Sequence, residues 1–238
     1  MEIPPSVGVP PEVVCKVGET VLLSCDVVDA NPSDVDYRWY LGNGEIFSFA
    51  TIYLSNITRD LHGDQFCTAN NTYHDGTYGT GSNVTFLDVQ YAPVVKNSKS
   101  VTKEKDTVVL ICHVDSNPYP SEFQWLKEAV LLSSESTYTI DDVTRDDAGN
   151  YTCAVTAVFY DETNASDEGI VYLEVQYAAR LIPSDDREFK AEIGEVVDIN
   201  CTSHGMPMPS IKWFDGSETE INNHYTANSS GLKFQNIV

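Results

Sequence analysis

A pattern of Cys, Trp and Cys is written into this chain more than once, and it constrains the fold more than composition does. Ile57-Thr58-Arg59-Asp60-Leu61-His62-Gly63 with a following Cys67 recurs as Val143-Thr144-Arg145-Asp146-Asp147-Ala148-Gly149 with Cys153, at an offset of 86 residues. Trp39 and Trp125 keep that offset, as do Leu87-Asp88-Val89-Gln90-Tyr91-Ala92 and Leu173-Glu174-Val175-Gln176-Tyr177-Ala178. Cys25 and Cys112 differ from it by one residue. A third copy begins after Tyr177: Trp213 follows Cys201 by 12 residues, and Phe234-Gln235-Asn236-Ile237-Val238 corresponds to the run ending at Val143. Self-similarity of this kind means repeated modules. The 238 residues therefore divide into units at 1–92 and 93–178 and an unfinished third at 179–238.

Within each unit the apolar residues alternate. In Thr20-Val21-Leu22-Leu23-Ser24-Cys25 and Thr107-Val108-Val109-Leu110-Ile111-Cys112, the residues two and four before the cysteine share its face and are apolar. Ile199 and Val197 do the same before Cys201. Gly18, Asn43-Gly44, Asn117-Pro118, Asp147-Ala148-Gly149 and Gly205-Met206-Pro207 punctuate the runs. Short strands bounded by such turns predict an all-β sandwich, with almost no helix.

A Cys, a Trp 12 to 14 residues later and then Asp-x-Gly-x-Tyr-x-Cys resemble the immunoglobulin superfamily. The resemblance implies tandem immunoglobulin-like antiparallel β-sandwiches, with disulfides Cys25–Cys67 and Cys112–Cys153 packed on core Trp39 and Trp125. Trp213 takes the same place in the third unit, which lacks its F and G strands and, with them, the mate of Cys201. Tyr151, two residues before Cys153, occupies the tyrosine-corner position. In the first unit Gln65 stands there and Phe66 follows, so either the corner bond is absent or Phe66 marks a register change. The cysteine separations of 42 and 41 residues are too short for the extra C′ and C″ strands of variable-type domains, so the units resemble I-set or C2-set members. The short junctions Tyr91-Ala92-Pro93 and Tyr177-Ala178-Ala179 carry no Gly/Ser linker and predict an extended rod.

Disulfides closing loops of this length contribute roughly 4 kcal/mol each on the chain-entropy model and require an oxidising compartment. Seven Asn-x-Ser/Thr sequons, at Asn56, Asn70, Asn83, Asn150, Asn164, Asn200 and Asn228, agree with an extracellular location. Met1-Glu2-Ile3-Pro4-Pro5 has no secretory signal pattern, so an extracellular chain of this kind is expected to be a piece of a longer ectodomain, membrane-anchored by a single pass or secreted. Cys15 has no evident mate. A free thiol at the sandwich edge, a partner upstream of Met1 and an interchain bridge are all open.

Catalytic patterns are missing. There is no phosphate loop, HExxH, CxxC pair or Gly-x-Ser-x-Gly elbow, and His62, His74, His113, His204 and His224 are dispersed. Asp141-Asp142, Asp146-Asp147 and Asp185-Asp186 lack EF-hand spacing and read as solvated turns, so no cofactor, metal or enzymatic activity is expected. A net charge of -22, from 36 acidic and 14 basic side chains, opposes binding to nucleic acid and anionic lipid, and no segment is long and apolar enough to span a membrane.

Surface recognition remains. The resemblance, to nephrin-, sialoadhesin- or hemicentin-like ectodomains, implies cell adhesion by homophilic or heterophilic binding to another protein ectodomain. A signalling-receptor ectodomain and a secreted immune-recognition or matrix protein are the alternatives. Two stretches of the first unit are candidate contacts. One is the F–G connection Asn70 to Ser82, read as a long mobile loop carrying Tyr73, His74 and Tyr78. The other is Asp34, Asp36, Arg38 and Tyr40 around strand C.

Overall fold

The computed structural model describes residues 1–182, 192, 197–214, 217–219, 225–228 and 231–234. Gly194-Glu195, Asp185-Asp186, His224 and residues 235–238 lie outside the described residues. The first repeat contains β1 (Ile3–Gly8), β2 (Glu12–Lys16), β3 (Val21–Ser24), β4 (Asp26–Asn31), β5 (Asp36–Tyr40), β6 (Ile46–Phe47), β7 (Thr51–Leu54), β8 (Gly63–Thr72) and β9 (Tyr78–Val95). The second contains β10 (Ser98–Lys103), β11 (Val108–Ile111), β12 (Val114–Asn117), β13 (Glu122–Lys127), β14 (Val130–Ser133), β15 (Thr137–Ile140), β16 (Gly149–Val158) and β17 (Asn164–Ile182). In the third lie β18 (Val197–Asn200), β19 (Thr202–Met206), β20 (Tyr225–Asn228) and β21 (Gly231–Phe234).

The fold is all-β, built of two-sheet sandwiches, and helix among the described residues amounts to 3-10 turns at Arg59–Leu61 and Arg145–Asp147. The chain forms two compact units that cut across the second repeat. Met1–Asn97, Cys112–Ser136 and Thr152–Ile170 make the first; Ser98–Ile111, Thr137–Tyr151 and the residues from Val171 on make the second.

In the first unit one sheet runs β9-β8-β5-β6, with β2 added parallel to β9, while β3–β7 and β1–β4 form the opposing antiparallel pairs. Alternation decides which residues face inward. Val21 and Leu23 are buried while Leu22 between them is half exposed, and Ile52 and Leu54 are buried on either side of exposed Tyr53. These residues enclose fully buried Trp39 and the Cys25–Cys67 bridge. Cys15 lies in the same core as a free thiol, 2% exposed, which leaves it no surface for an interchain bridge. Burial pushes its thiol up to about 11, helped by the Glu19 and Asp88 carboxylates.

The corner question resolves through Gln65. Its side-chain amide donates to the Leu61 carbonyl at 2.8 Å and the Gly63 carbonyl at 3.0 Å, and its Oε1 accepts the Gly42 N–H at 2.8 Å. In the second repeat the Tyr151 hydroxyl donates to the Asp147 carbonyl, also four residues back, at 2.8 Å. The glutamine thus replaces the tyrosine bond and adds two. No register change occurs, because β5–β8 and β8–β9 pair without interruption past Phe66, which points outward.

The short cysteine separation does admit one extra strand, contrary to expectation. β6 pairs β5 through Trp39↔Phe47 and Tyr40↔Ile46, and β14 pairs β13. A tight turn makes room for β6: Leu41 N–H donates to the Glu45 carbonyl and Gly44 N–H to the Leu41 carbonyl. No strand pairs beyond β6 or β14 among the described residues.

β1 passes close beneath β9, and Gly81 permits it. A Cβ there would overlap the Pro5 carbonyl oxygen, which backbone cannot yield cheaply. Gly81→Ala is expected to cost about 2 kcal/mol, as overpacking does, read as a lower denaturant midpoint for the first repeat at unchanged slope.

In the second repeat Cys112 is bonded to Cys153, and Trp125 is fully buried. Trp213 of the third is half-buried. In the second unit β10 runs parallel to β17 from Ser98↔Val171 to Lys103↔Gln176, and β11 pairs β15. There too β18-β21-β20 form a three-stranded sheet and β19 pairs the end of β17.

Candidate functional site: the outward sheet face of the first repeat

The connection from β8 to β9 is shorter than the sequence suggests. Asn70–Thr72 belong to β8 and Tyr78–Ser82 to β9, in register from Asn70↔Thr80 to Thr72↔Tyr78, which leaves five residues for the turn. That turn is closed by Tyr73 N–H to the Thr77 carbonyl and Gly76 N–H to the Tyr73 carbonyl. The long-loop reading is therefore corrected: hydrogen-bonding capacity is met by extending the ribbon, with Asp75 accepting from the Thr77 amide and hydroxyl.

The three candidates of this segment separate. Tyr73 is half-buried with its hydroxyl end over Gly79, where a Cβ would collide with it, so it packs on its own hairpin. His74 is exposed, and its N–H donates to the Glu2 carboxylate at 2.9 Å. Tyr78 is 72% exposed on the outer face. Strand C fares differently: Asp36, Arg38 and Tyr40 alternate with Tyr37 and Trp39 and all point outward, while exposed Asp34 lies just before β5.

Register assembles the face. Directly paired residues share a side of the sheet, so Ile46, Tyr40, Phe66 and Val84 form one apolar row across β6, β5, β8 and β9. All four are exposed, and Phe86 lies one outward position further along β9 against the edge of His62, ring centroids 5.2 Å apart. Beside this row stand Arg38, Thr68 and Ser82, then Asp36, Asn70 and Thr80. The upper rows open into a groove of about 780 Å³ lined by Asp36, Arg38, Asn70, Thr80 and the exposed rings of Phe49 and Tyr78. Of these residues Tyr40 and Tyr78 stand out in the sequence, whereas Ile46, Phe66, Val84 and Phe49 join the face only through strand pairing and the groove. Phe66 was detectable in principle, since one residue before Cys67 is the outward parity of β8.

The corresponding face of the second repeat is different. There Leu131, Leu126 and Thr152 form the matching row, followed by Gln124 with Ala154 and Glu122 with Thr156, none of them aromatic. On β17 the positions matching Val84 and Phe86 hold exposed Ile170 and Tyr172, so what sets the first repeat apart is the pair of rings, Tyr40 and Phe66, in the middle of its row, the kind of central aromatic anchor that interfaces favour.

A second polar cluster, inside the first unit, ties β2 and β9 to the strands of the second repeat. Lys16 pairs with Asp161 and lies 4.8 Å over the Phe159 ring. Tyr160 hydroxyl donates to Glu19, and its N–H to Gln90 Oε1 at 2.9 Å. Arg59 stacks 3.7 Å over Tyr91 and reaches Asp115, which also accepts the Tyr91 hydroxyl. Asn117 donates to Asp88 and to the Val89 carbonyl. β9 itself runs through the junction at 92/93 and is paired there by β12. Hydrogen bonds from Lys16 and Thr163 hold the Asp161 carboxyl down to about 2 against an ordinary 3.8. A carboxyl lowered on folding contributes fully above its unfolded value and loses that contribution as pH falls through its folded one. Asp161 is therefore expected to titrate near pH 2 by carbon-detected NMR, and Lys16→Ala to move the midpoint back toward 3.8.

Two disulfide-pinned, Trp-centred sandwiches in tandem, each with a corner bond two residues before its second cysteine, define a class by fold. The comparisons place it. Residues 92–156 match the family model described as Immunoglobulin domain. The Drosophila melanogaster Irregular chiasm C-roughest protein is 30% identical over 209 residues, 83% of this chain and 25% of that protein. Human Basal cell adhesion molecule is 27% identical over 182 residues, 69% of this chain and 28% of that protein. Among solved structures, Dpr2 Ig1-Ig2 in complex with DIP-Theta Ig1-Ig3 superposes with a TM-score of 0.51 at 18% identity, covering 99% of this chain and 91% of that one. The chain belongs to the immunoglobulin superfamily, and it spans about a quarter of the length of these two relatives. No helix among the described residues is long and apolar enough to cross a membrane.

Proposed function

We propose that this chain is a non-catalytic extracellular adhesion or recognition segment whose first repeat binds another immunoglobulin-type ectodomain through the face of β6, β5, β8 and β9. The domains are 1–92, 93–178 and 179–238, belonging to the ectodomain of a single-pass membrane protein or a secreted one. The observation that carries the reading is the exposed Ile46–Tyr40–Phe66–Val84 row of the first repeat, whose counterpart on the second, Leu131–Leu126–Thr152, has no aromatic ring. Adhesion relatives and a structural neighbour solved as a complex of two Ig ectodomains support it.

Charge favours a heterophilic partner. Residues 1–92 hold twelve acidic side chains and three basic ones, Lys16, Arg38 and Arg59. Lys16 and Arg59 are engaged at the junction, so Arg38 alone offsets Asp34, Asp36 and Asp64 on and beside the face. Two copies brought face to face would oppose like charges, whereas an apolar surface rimmed by Lys and Arg would complement this one. The test is sedimentation of the secreted fragment alone, together with its binding to a bead-displayed panel of two-domain Ig ectodomains at low and high salt. A monomer that binds a basic-faced ectodomain, more slowly as salt rises, is expected. Homotypic association that strengthens with salt overturns heterophily; binding unaffected by changes on the face overturns the site.

A further inference from the structure

Of the three sequons in the first repeat, the fold treats Asn70 in a distinctive way. Asn56 is exposed in a turn with φ of 54°, and the Asn83 amide donates to the Val7 carbonyl at 3.0 Å. Asn70 sits on the outward parity of β8, between Asp36 on β5 and Thr80 on β9, half-exposed, in the lining of the groove edged by Phe49 and Tyr78. Its sequon partner Thr72 is exposed on the same side of the same strand. Along β8 it stands four residues from Phe66, about 13 Å at strand rise.

We propose that Asn70 is an N-glycan site whose occupancy gates the recognition face, closing the groove half and leaving the Ile46–Tyr40–Phe66–Val84 row as the accessible half. The consequence for binding rests on the function proposed above; occupancy and shielding do not. In the modification, the Asn70 amide nitrogen forms a bond to C1 of the sugar and loses one proton. The C1–oxygen bond of a polyprenyl-pyrophosphate-linked oligosaccharide breaks, and the pyrophosphate lipid leaves. The product is a bulky hydrated branch rooted on the floor of the groove. Any partner using Asp36, Arg38 or Tyr78 must displace it, whereas a partner confined to the apolar row need not. A single protein with partial occupancy would then present two binding surfaces.

The experiment uses the whole 238-residue chain secreted from a glycosylating host, compared with Asn70→Gln, Thr72→Ala, which removes the sequon while keeping Asn70, and Thr72→Ser, which keeps it. Glycopeptide masses should show a glycan at position 70 in the parent and Thr72→Ser and its loss in the other two. Hydroxyl-radical footprinting should show Tyr78 labelled severalfold more in Asn70→Gln and Thr72→Ala, with Phe66 changed little. A bare Asn70 in the folded secreted protein, or equal Tyr78 labelling with and without the glycan, overturns the proposal. If Asn70→Gln fails to fold, Thr72→Ala and enzymatic deglycosylation of the parent carry the same comparison. With a partner from the ectodomain panel in hand, glycan removal should raise affinity for groove-using partners severalfold. A face that binds nothing with or without the glycan would count against the function proposed above and leave the occupancy and shielding results standing.

Discussion

Phe66→Asp is expected to weaken recognition by more than an order of magnitude while leaving the fold intact. Phe66 stands between Tyr40 and Val84 in the middle of the row, half exposed, with Cys67 beside it facing the core. Removing a central aromatic anchor costs on the order of 2 to 4 kcal/mol of binding, a loss of roughly 30- to 1000-fold in affinity. The new carboxylate deepens the loss, because it adds an unpaired charge to a face where Asp36 and Asp64 already outnumber Arg38. Stability should change by no more than about 0.5 kcal/mol, as at other exposed positions. Surface plasmon resonance against a partner ectodomain and a thermal melt separate the two effects. Ala154→Asp, on the matching face of the second repeat, is the control and should leave affinity unchanged. Full binding by Phe66→Asp would remove this face from consideration.

Gln65→Leu should damage the first sandwich severely. The change keeps the volume roughly constant but removes all three bonds made by the carboxamide, leaving the Gly42 N–H and the Leu61 and Gly63 carbonyls without it. Gln65 is fully buried, so water cannot replace it freely. Each unmet group costs about 1 to 3 kcal/mol, and a total near 4 kcal/mol is expected. For a repeat of this size that lowers its melting temperature on the order of 20 °C. Tyr151→Phe in the second repeat removes one bond and should cost about 1 kcal/mol. Equal losses from the two variants would mean that Gln65 is a passive core filler.

The fold was largely legible before any coordinates. Strand faces follow from the parity of Val21, Leu23 and Cys25, and the repeat follows from an offset that spaces tryptophans and cysteines alike. Those signals are local or periodic, and burial obeys them. The face was half legible. Asp36, Arg38, Tyr40 and Tyr78 stand out as candidates in the sequence, but the row that unites Tyr40 with Phe66 and Val84 depends on which residue of β5 stands opposite which of β8 and β9. Register of that kind is a long-range property, set by turn lengths and core packing together. The ribbon that ends at the turn 73–77 is hidden for the same reason: Asn, Gly, Thr and Tyr read as loop by composition, while pairing with a neighbouring strand draws Asn70–Thr72 and Tyr78–Ser82 into β8 and β9.

By itself the sequence determined the repeat, the sandwich class, the inward residues and the acidity of the surface, because each depends on identity and spacing along the chain. Tertiary structure alone decided three further matters. It decided what the glutamine at the corner position does, because only in the fold does the carboxamide reach three backbone groups, those of Gly42, Leu61 and Gly63. It engaged Lys16 and Arg59 at the junction, leaving Arg38 alone among carboxylates. And it set Asn70 in the middle of the outward face, since only strand register decides what a side chain on a sheet has for neighbours.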